Sequence, residues 1–136
     1  MKQIAMCAAL AMGAALAAQA DVVVVVSAKS GVSKLEKGLV ADLYLGTTKE
    51  VPGVGAVQLL ASAPPLRDEF YAKVLTKDPS QVKAIWSRLI FSGKGQAPRE
   101  LGSAADLKAA LAANPSAMAY IDKADVDANV KVVFAP

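Results

Sequence analysis

The sequence contains no histidine and only one cysteine in 136 residues. Without histidine, a Ser-His-Asp or Cys-His nucleophilic site and an imidazole metal site are both excluded. One cysteine cannot form an intramolecular disulfide or a thiolate zinc cluster. No pair of titratable groups is spaced for general acid–base catalysis. The sequence therefore predicts a protein that is not an enzyme and that uses no metal and no cofactor.

Charge and aromatic content are also low. The formal net charge is +3 and aromatic residues make up 5% of the chain. A charge this small does not indicate nucleic-acid binding by itself, and basic and aromatic residues do not alternate as they do on single-strand-binding surfaces. We therefore expect no nucleic-acid partner. Apolar residues, in contrast, make up 54% of the chain, which is enough for one globular domain of this length.

The first twenty residues have the pattern of a secretory signal peptide. Lys2 supplies a positive start, residues 4–17 are apolar and rich in alanine, and residues 18–20 read A-Q-A, a small-x-small cleavage site. The apolar stretch is shorter than the ~20 residues that span a bilayer, so an uncleaved anchor is the weaker alternative. We expect cleavage after residue 20, export to a bacterial periplasm, and a mature single lobe of residues 21–136 without cysteine.

The mature sequence alternates between strand and helix patterns in the order β-α-β-α-α-α-β-β. The strand segments are short apolar runs bounded by turn residues, at residues 22–26, 57–61, 117–121 and 130–134. The first run, VVVVV, is continuous instead of alternating, which is typical of a strand buried on both faces of a sheet. The pattern predicts an α/β fold in which helices cover a mixed sheet.

Helix boundaries are marked by capping signals. Residues 33–36, S-K-L-E, form a capping-box pattern that predicts the start of the first helix, and Gly46 predicts its end. Residues 78–81, D-P-S-Q, give the clearest start signal in the chain. The apolar positions that follow at helical spacing predict one buried stripe: Val82, Ile85, Trp86, Leu89 and Ile90. Residues 92–102 contain glycine and proline and are predicted to form a loop.

Two places in the sequence are candidates for anion binding. Arg67 stands at a helix start just after the strand that ends near Ser62, where a guanidinium can bind an anion with two hydrogen bonds. The alternative for Arg67 is a solvated or intrahelical ion pair. The second place is the loop of residues 27–31, which joins a strand to a helix and offers Ser27, Lys29 and Ser30. A plain connecting loop is an equally good interpretation of this segment.

The glycine-containing stretch at residues 92–95, S-G-K-G, is a weaker candidate. A phosphate-binding Walker loop requires G-x-x-x-x-G-K-[ST] between a strand and a helix. Here the stretch follows a helix, where glycine ends the helix and lysine complements the negative end of the helix dipole. We therefore prefer the capping interpretation.

Three further segments match a set of motifs in order and in spacing. Residues 40–46 read VADLYLG, similar to Q-v-x-d-I-F-x-G, and residues 66–70 read LRDEF, similar to the end of G-S-G-T-R-[DE]-x-F. Residues 114–121 read NPSAMAYI, similar to N-P-G-A-I-G-Y-[IV]. Together these stretches resemble the phosphate-type periplasmic solute-binding proteins of ABC transporters, in a short branch with a single lobe.

The resemblance implies a three-layer lobe of the type II periplasmic-binding-protein kind, with a mixed sheet and helices on both faces. Full-length members close two lobes on an anion, and this sequence resembles the second lobe with its hinge strands. The anion loop departs from the family pattern. Residues 64–66 are P-P-L where the family has S-G-T, which removes hydroxyl donors and two backbone N–H groups. Of the family's ligands at this loop, the resemblance leaves only Ser62 and Arg67.

Two functions follow from this resemblance. The first is a periplasmic solute-binding-like protein that binds a small, phosphate-like oxyanion, with a Kd of about a millimolar or weaker because few fixed donors converge on the ion. A homodimer would supply the missing wall of such a site. The alternative is an interaction module that kept the fold, lost the ligand and binds an envelope protein such as a sensor domain or a transporter component.

Overall fold

The computed structural model describes residues 21–136, and the predicted signal peptide lies outside the described residues. Within this range the strands are β1 (Val22–Ser27), β2 (Glu50–Val51), β3 (Gly55–Ala56), β4 (Gln58–Ser62), β5 (Arg99–Leu101), β6 (Ala117–Asp122) and β7 (Val130–Phe134). The helices are α1 (Lys37–Tyr44), α2 (Leu66–Phe70), α3 (Pro79–Phe91) and α4 (Ala104–Ala113). Helix α2 continues directly into a π-helical turn (Tyr71–Leu75), and a 3-10 turn (Lys123–Asp125) follows β6.

The described chain forms one five-stranded mixed sheet with the order β5-β4-β6-β1-β7. Strand β4 runs parallel to both β5 and β6, whereas β1 runs antiparallel to β6 and β7. Strands β2 and β3 form a separate small hairpin. The predicted mixed sheet is therefore confirmed.

Helices cover both faces of this sheet, as predicted. Because side chains alternate along a strand, the valine run of β1 contributes to both faces: Val24 packs in the cluster that includes α1, α2 and α3, and Val25 packs in the cluster that includes α4. Both side chains are fully buried. This two-sided burial explains why the run is continuous, and it confirms the three-layer α/β lobe.

Side-chain hydroxyls connect β4 and β6 beyond their short parallel pairing, which covers Gln58–Ala117 and Leu59–Met118. The hydroxyl of Tyr44, on α1, shares its single proton between the carbonyl oxygen of Leu60 at 2.9 Å and that of Met118 at 3.3 Å. The hydroxyl contact thus lies just where the short ladder between β4 and β6 ends. It also fixes α1 against the middle of the sheet.

The predicted start of α1 is wrong. The helix begins at Lys37 with Glu36 at its N-cap, four residues after the serine of the predicted capping box. The preceding segment is held extended because the N–H of Leu35 donates to the carbonyl of Val133 on β7 at 2.8 Å, while Val32 is buried in the core. A tertiary hydrogen bond therefore overrides a local capping signal. The predicted end at Gly46 is confirmed, since this glycine has a φ of +74° just after the helix.

Two other expectations need correction. The predicted loop at residues 92–102 contains strand β5, which is only three residues long and exists because it pairs with β4. The predicted buried stripe of α3 holds for Val82 and Trp86 but fails in the last turn, where Ile90 is 51% exposed. Ile90 lines an open cavity instead of packing on the sheet.

Candidate functional site

A cavity of about 530 Å³ opens between α2, α3 and the sheet. Its walls include the buried residues Tyr44, Ala61 and Tyr120 from the core. Among its more exposed walls are Arg67 on α2 and Lys83 on α3. A volume of this size lies within the roughly 300–1,000 Å³ range of small-molecule sites. The cavity therefore combines an apolar, aromatic interior with two cationic side chains.

Arg67, the second residue of α2, is the arginine that lines this cavity. Its guanidinium donates from Nε and from Nη2 to Oδ1 of Asp68, both at 3.2 Å, and its side chain is 28% exposed. The guanidinium carbon lies 5.7 Å from the ring centroid of Tyr71, a cation–π distance. Partial burial lowers the pKa of Arg67, but the hydrogen bond to Asp68 and the charge of that carboxylate raise it by more. The net pKa is therefore raised, and the side chain stays cationic.

The ion pair with Asp68 corresponds to the intrahelical alternative considered for Arg67. It does not remove Arg67 from the cavity, because an exposed ion pair of this kind contributes only about 0–1 kcal/mol. The guanidinium also has five N–H donors, and the bonds to Asp68 use two of them. The remaining donors are available to a bound anion.

Tyr120 carries an unusual buried hydroxyl. The side chain lines the cavity and is fully buried, and its Oη finds no hydrogen-bond partner among residues 21–136. The ring is held by stacking on Phe70, with centroids 3.9 Å apart and planes 6° apart. Burial raises the pKa of Tyr120, so the phenol stays protonated at neutral pH and can donate. Buried donors without partners are rare in folded proteins and call for an explanation.

Trp86 forms a rigid wall of the same cavity. Its Nε1 donates to the carbonyl oxygen of Tyr44 at 2.9 Å, and the residue is 8% exposed. Tyr71 lies on another wall, and burial is the main cause that raises its pKa, so its phenol also stays protonated. Glu100, the middle residue of β5, is the carboxylate among the lining residues. The aromatic walls are thus placed before any ligand binds.

Ser62 does not line this cavity; it lines a separate one of about 150 Å³ together with Leu107 of α4, and its hydroxyl is used within the protein. Ser62 is buried at the end of β4, and its Oγ donates to the carbonyl oxygen of Tyr120. A serine hydroxyl has a single proton to donate. Because that proton is already bound to a carbonyl, the observed Ser62 has no donor left for an anion.

The other predicted ligands lie at the opposite end of the sheet. Ser27 is the last residue of β1, and its neighbour Val26 pairs with Met118 near the beginning of β6. Strand β4 runs parallel to β6, so the end of β4, which leads to Arg67, lies near the end of β6. The antiparallel direction of β1 therefore separates the loop of residues 27–31 from Arg67. The five predicted ligands do not converge on one point.

Local hydrogen bonds account for the hydroxyls of that loop. The Oγ of Ser27 accepts from the N–H of Lys29 at 3.2 Å, and the Oγ of Ser30 accepts from the N–H of Val32 at 3.1 Å. Both serines are buried, and Lys29 is exposed. These are serine turns of the kind that shape tight connections.

The stretch at residues 92–95 borders a second cavity, of about 430 Å³. Lys94 lines it together with Lys49 and Arg99, and Trp86 lines both cavities. All three cationic residues are exposed. Its cationic lining makes this cavity an alternative anion site, so a substitution in this cavity is the control for experiments on Arg67.

Sequence reasoning missed Tyr120, Trp86, Tyr71 and Lys83 as lining residues. The three aromatic residues stand in apolar patterns, which favour core packing, and Tyr120 and Trp86 do pack in the core. Their second role depends on the gap between α2 and α3, which no local pattern encodes. In the described chain, residues 21–136, no group of three metal-binding side chains converges. None of the helices there is long and apolar enough to cross a membrane.

The three-layer lobe, with its mixed sheet and its cavity between helices and sheet, defines the chain as having the fold of a periplasmic solute-binding protein lobe. Solved phosphate-transport proteins share that fold. An ABC-type phosphate transport receptor from Vibrio cholerae superposes with a TM-score of 0.60 at 15% identity, covering 84% of this chain and 45% of the receptor. PstS from Borrelia burgdorferi gives a TM-score of 0.63 at 9% identity, covering 84% and 46%.

A third structure, from Clostridium perfringens and described as a phosphate ABC transporter substrate-binding protein, was solved with bound phosphate. It gives a TM-score of 0.64 at 12% identity and covers 84% of this chain and 44% of its own. No protein-family model and no curated protein matches the sequence. The resemblance drawn from the motifs is thus confirmed at the level of the fold. The chain spans less than half the length of these structures.

Proposed function

We propose that this protein is an exported, single-lobe solute-binding-like protein whose lobe, residues 21–136, binds a small oxyanion weakly in the cavity beside Arg67. The observation that carries the proposal is the position of Arg67: its guanidinium lines a cavity that Lys83 and the protonated phenol of Tyr120 also line. Three donors of this kind on one cavity suit a phosphate-like ion. The solute-binding fold and the signal-peptide pattern of residues 1–20 support export to the periplasm.

The affinity follows from the same geometry. Arg67 is shared with Asp68, Lys83 is exposed, and Glu100 places a negative charge on the lining. A partly hydrated ion gains less from each charged donor than an enclosed one, because water screens the interaction. We therefore expect a Kd of about a millimolar or weaker for inorganic phosphate.

A calorimetric titration of the purified protein with phosphate and sulfate tests the proposal. Arg67→Ala is expected to abolish the heat of binding, while Arg88→Ala, an exposed arginine on α3 that does not line this cavity, leaves it unchanged. Lys94→Ala tests the second cavity. Loss of binding in Lys94→Ala but not in Arg67→Ala would place the anion in that second cavity. Absence of heat with every oxyanion, on a protein that melts cooperatively, would remove the ligand from the proposal.

An interaction module is the second candidate function, and one observation favours it. Phe91, at the end of α3, is 95% exposed, and its neighbour Ile90 is 51% exposed. Exposed aromatic residues are common anchors of protein interfaces. The partner would be an envelope sensor, a transporter component or a second copy of this chain. Sedimentation of the protein and of Phe91→Ser separates these cases, since a homodimer through this residue dissociates in the variant.

A further inference from the structure

We infer that the ligand of the cavity is an aromatic oxyanion, meaning a planar ring that carries a phosphate or carboxylate group. The inference rests on the proposed function for the anionic group of the ligand, and it adds an aromatic ring to that group. Its ring lies in the aromatic interior beside Trp86, and its anionic group lies beside Arg67 and accepts from the hydroxyl of Tyr120.

The walls of the cavity favour a ring over a bare inorganic ion. Trp86, Tyr71 and Pro98 line it together with Ile90. Inorganic phosphate and sulfate have no apolar surface and would leave these walls in contact with water. A planar ring removes that apolar surface from water, which is the larger source of affinity in most small-molecule sites.

The walls are also rigid in the way that ring binding requires. The hydrogen bond from Trp86 to the carbonyl of Tyr44 fixes the indole at 2.9 Å, and Phe70 fixes the ring of Tyr120 by stacking. Aromatic groups held in place need no reordering when a ligand ring packs against them. A ligand therefore gains these contacts without the entropy cost of fixing flexible side chains.

The hydroxyl of Tyr120 supplies the second, independent observation. It is a protonated donor in a fully buried side chain that lines the cavity, and no acceptor for it lies in residues 21–136. Arg67 and Glu100 line the same cavity as Tyr120. An anionic oxygen placed beside Arg67 is the acceptor that this phenol lacks. Arg67 and Tyr120 together thus define where the anionic group binds.

Fluorescence provides a direct readout, because Trp86 is the only tryptophan in the sequence and lines the cavity. The probes are phenyl phosphate, inorganic phosphate and phenol, each titrated into the purified protein with calorimetry in parallel. We expect phenyl phosphate to shift the Trp86 emission and to bind about tenfold more tightly than inorganic phosphate, a factor that corresponds to about 1.4 kcal/mol. Equal affinity of phenyl phosphate and inorganic phosphate would overturn the inference and leave the proposed function standing.

Tyr120→Phe isolates the hydroxyl while keeping the ring that stacks on Phe70. We expect the variant to bind phenyl phosphate about fivefold more weakly, the usual effect of losing one hydrogen bond, without any fall in melting temperature. Arg88→Ala is the matched control and keeps the affinity of the native protein. Unchanged affinity in Tyr120→Phe, whatever its melting temperature, would overturn the role of the hydroxyl as a donor to the ligand.

Phenol separates the failure of the inference from the failure of the proposed function. If phenol shifts the Trp86 emission while both phosphates fail to bind, the aromatic interior accepts a ring but the anion site beside Arg67 is wrong. That outcome overturns the proposed function and the aromatic oxyanion together. If inorganic phosphate binds through Arg67 and neither ring compound changes the Trp86 emission, the inference of an aromatic ring is wrong and the proposed function stands.

Discussion

Two buried tyrosines of this protein have the same chemistry and opposite surroundings. The hydroxyl of Tyr44 donates to two backbone carbonyls, whereas that of Tyr120 has no partner within residues 21–136. Their rings pack edge to face, with centroids 5.5 Å apart. The hydroxyl of Tyr44 therefore stabilises the sheet, and the hydroxyl of Tyr120 remains a donor for the proposed ligand. The same distinction applies to Ser62, whose proton is used by the carbonyl of Tyr120.

Removal of the Tyr44 hydroxyl is expected to destabilise the fold. Tyr44→Phe removes the buried hydrogen bond to the carbonyl of Leu60 and the contact with that of Met118, and a buried hydrogen bond contributes about 0.5–1.5 kcal/mol. Urea unfolding measures the free energy of unfolding. Tyr120→Phe is the matched control and should show no loss of stability, since its hydroxyl has no partner in the described chain. Equal losses in the two variants would contradict this assignment.

Ser62→Ala tests the other hydroxyl that joins β4 to β6. The side chain is 6% exposed, and its removal leaves the carbonyl of Tyr120 unsatisfied. We expect a loss of about 1–2 kcal/mol in the free energy of unfolding. Phosphate affinity should not change, because the hydroxyl donates to protein and not to an anion. A variant with native stability and weaker anion binding would restore Ser62 as a ligand.

Helix α3 links the interior of the lobe to its surface. The structure confirms its predicted start, since Asp78 accepts from the N–H of Gln81 at 2.9 Å and the side chain of Gln81 accepts from the N–H of Asp78 at 3.0 Å. Trp86 then packs in the core and forms a wall of both cavities. The helix ends with Phe91 exposed. One element thus carries the cap, the wall of the candidate site and the apolar surface.

The cap of α3 should make stability depend on pH at the acid end. Hydrogen bonds from the hydroxyl of Ser80 and the N–H of Gln81 lower the pKa of Asp78 below its ordinary value of 3.8. A lowered pKa means that the carboxylate stabilises the folded state above that value and loses the effect as pH falls through the lower, folded-state pKa. We expect Asp78→Ala to lower the melting temperature at pH 6 and to have a smaller effect below pH 3.8.

Asp78→Asn is the matched control for this titration. Asparagine is as good an N-cap as aspartate, but its side chain does not titrate. Its melting temperature relative to Asp78→Ala should therefore stay constant across the same pH range. A constant difference between the native protein and Asp78→Ala would show that the carboxylate charge contributes nothing to the cap.

At the scale of the whole molecule, residues 21–136 form one lobe in which a single mixed sheet is buried between two helical layers. The solved phosphate-transport proteins that share this fold are about twice as long as the part this chain covers. In the described lobe the cavity beside Arg67 is open. The weak affinity and the buried ring that we propose are both expected of an open cavity.

The signal-peptide pattern of residues 1–20 gives a prediction for the whole chain. Expression of the full sequence in a bacterium should deliver a protein to the periplasmic fraction with Asp21 as its first residue, which mass spectrometry measures. Signal peptidase sites require small residues at the first and third positions before the cut, so Ala20→Lys should block processing. Gln19→Lys, the same change at the position between them, should still be processed. A mature protein that retains residues 1–20 would contradict the predicted cleavage.

The sequence by itself determined the elements whose signals are local. The β1 run, the glycine after α1 and the capping box at residues 78–81 each depend on hydrogen bonds or burial patterns within a few residues, and the structure confirms all three. The same holds for the order of the main strands and helices, and hence for the α/β class of the fold, whereas the three-layer lobe was implied by the motif resemblance. The motif at residues 66–70 also placed Arg67 beside a strand end, where it lines the cavity of about 530 Å³.

Only the tertiary structure decided which residues meet. Strand β5 exists through pairing with β4, the segment before α1 is held by β7, and the antiparallel direction of β1 separates Ser27 from Arg67. Tyr120 became a candidate ligand-binding residue because a gap between helices lies over its ring. Contacts between residues far apart in the chain depend on how whole elements pack, and a cavity is the space that this packing leaves. No stretch of sequence read alone contains that information.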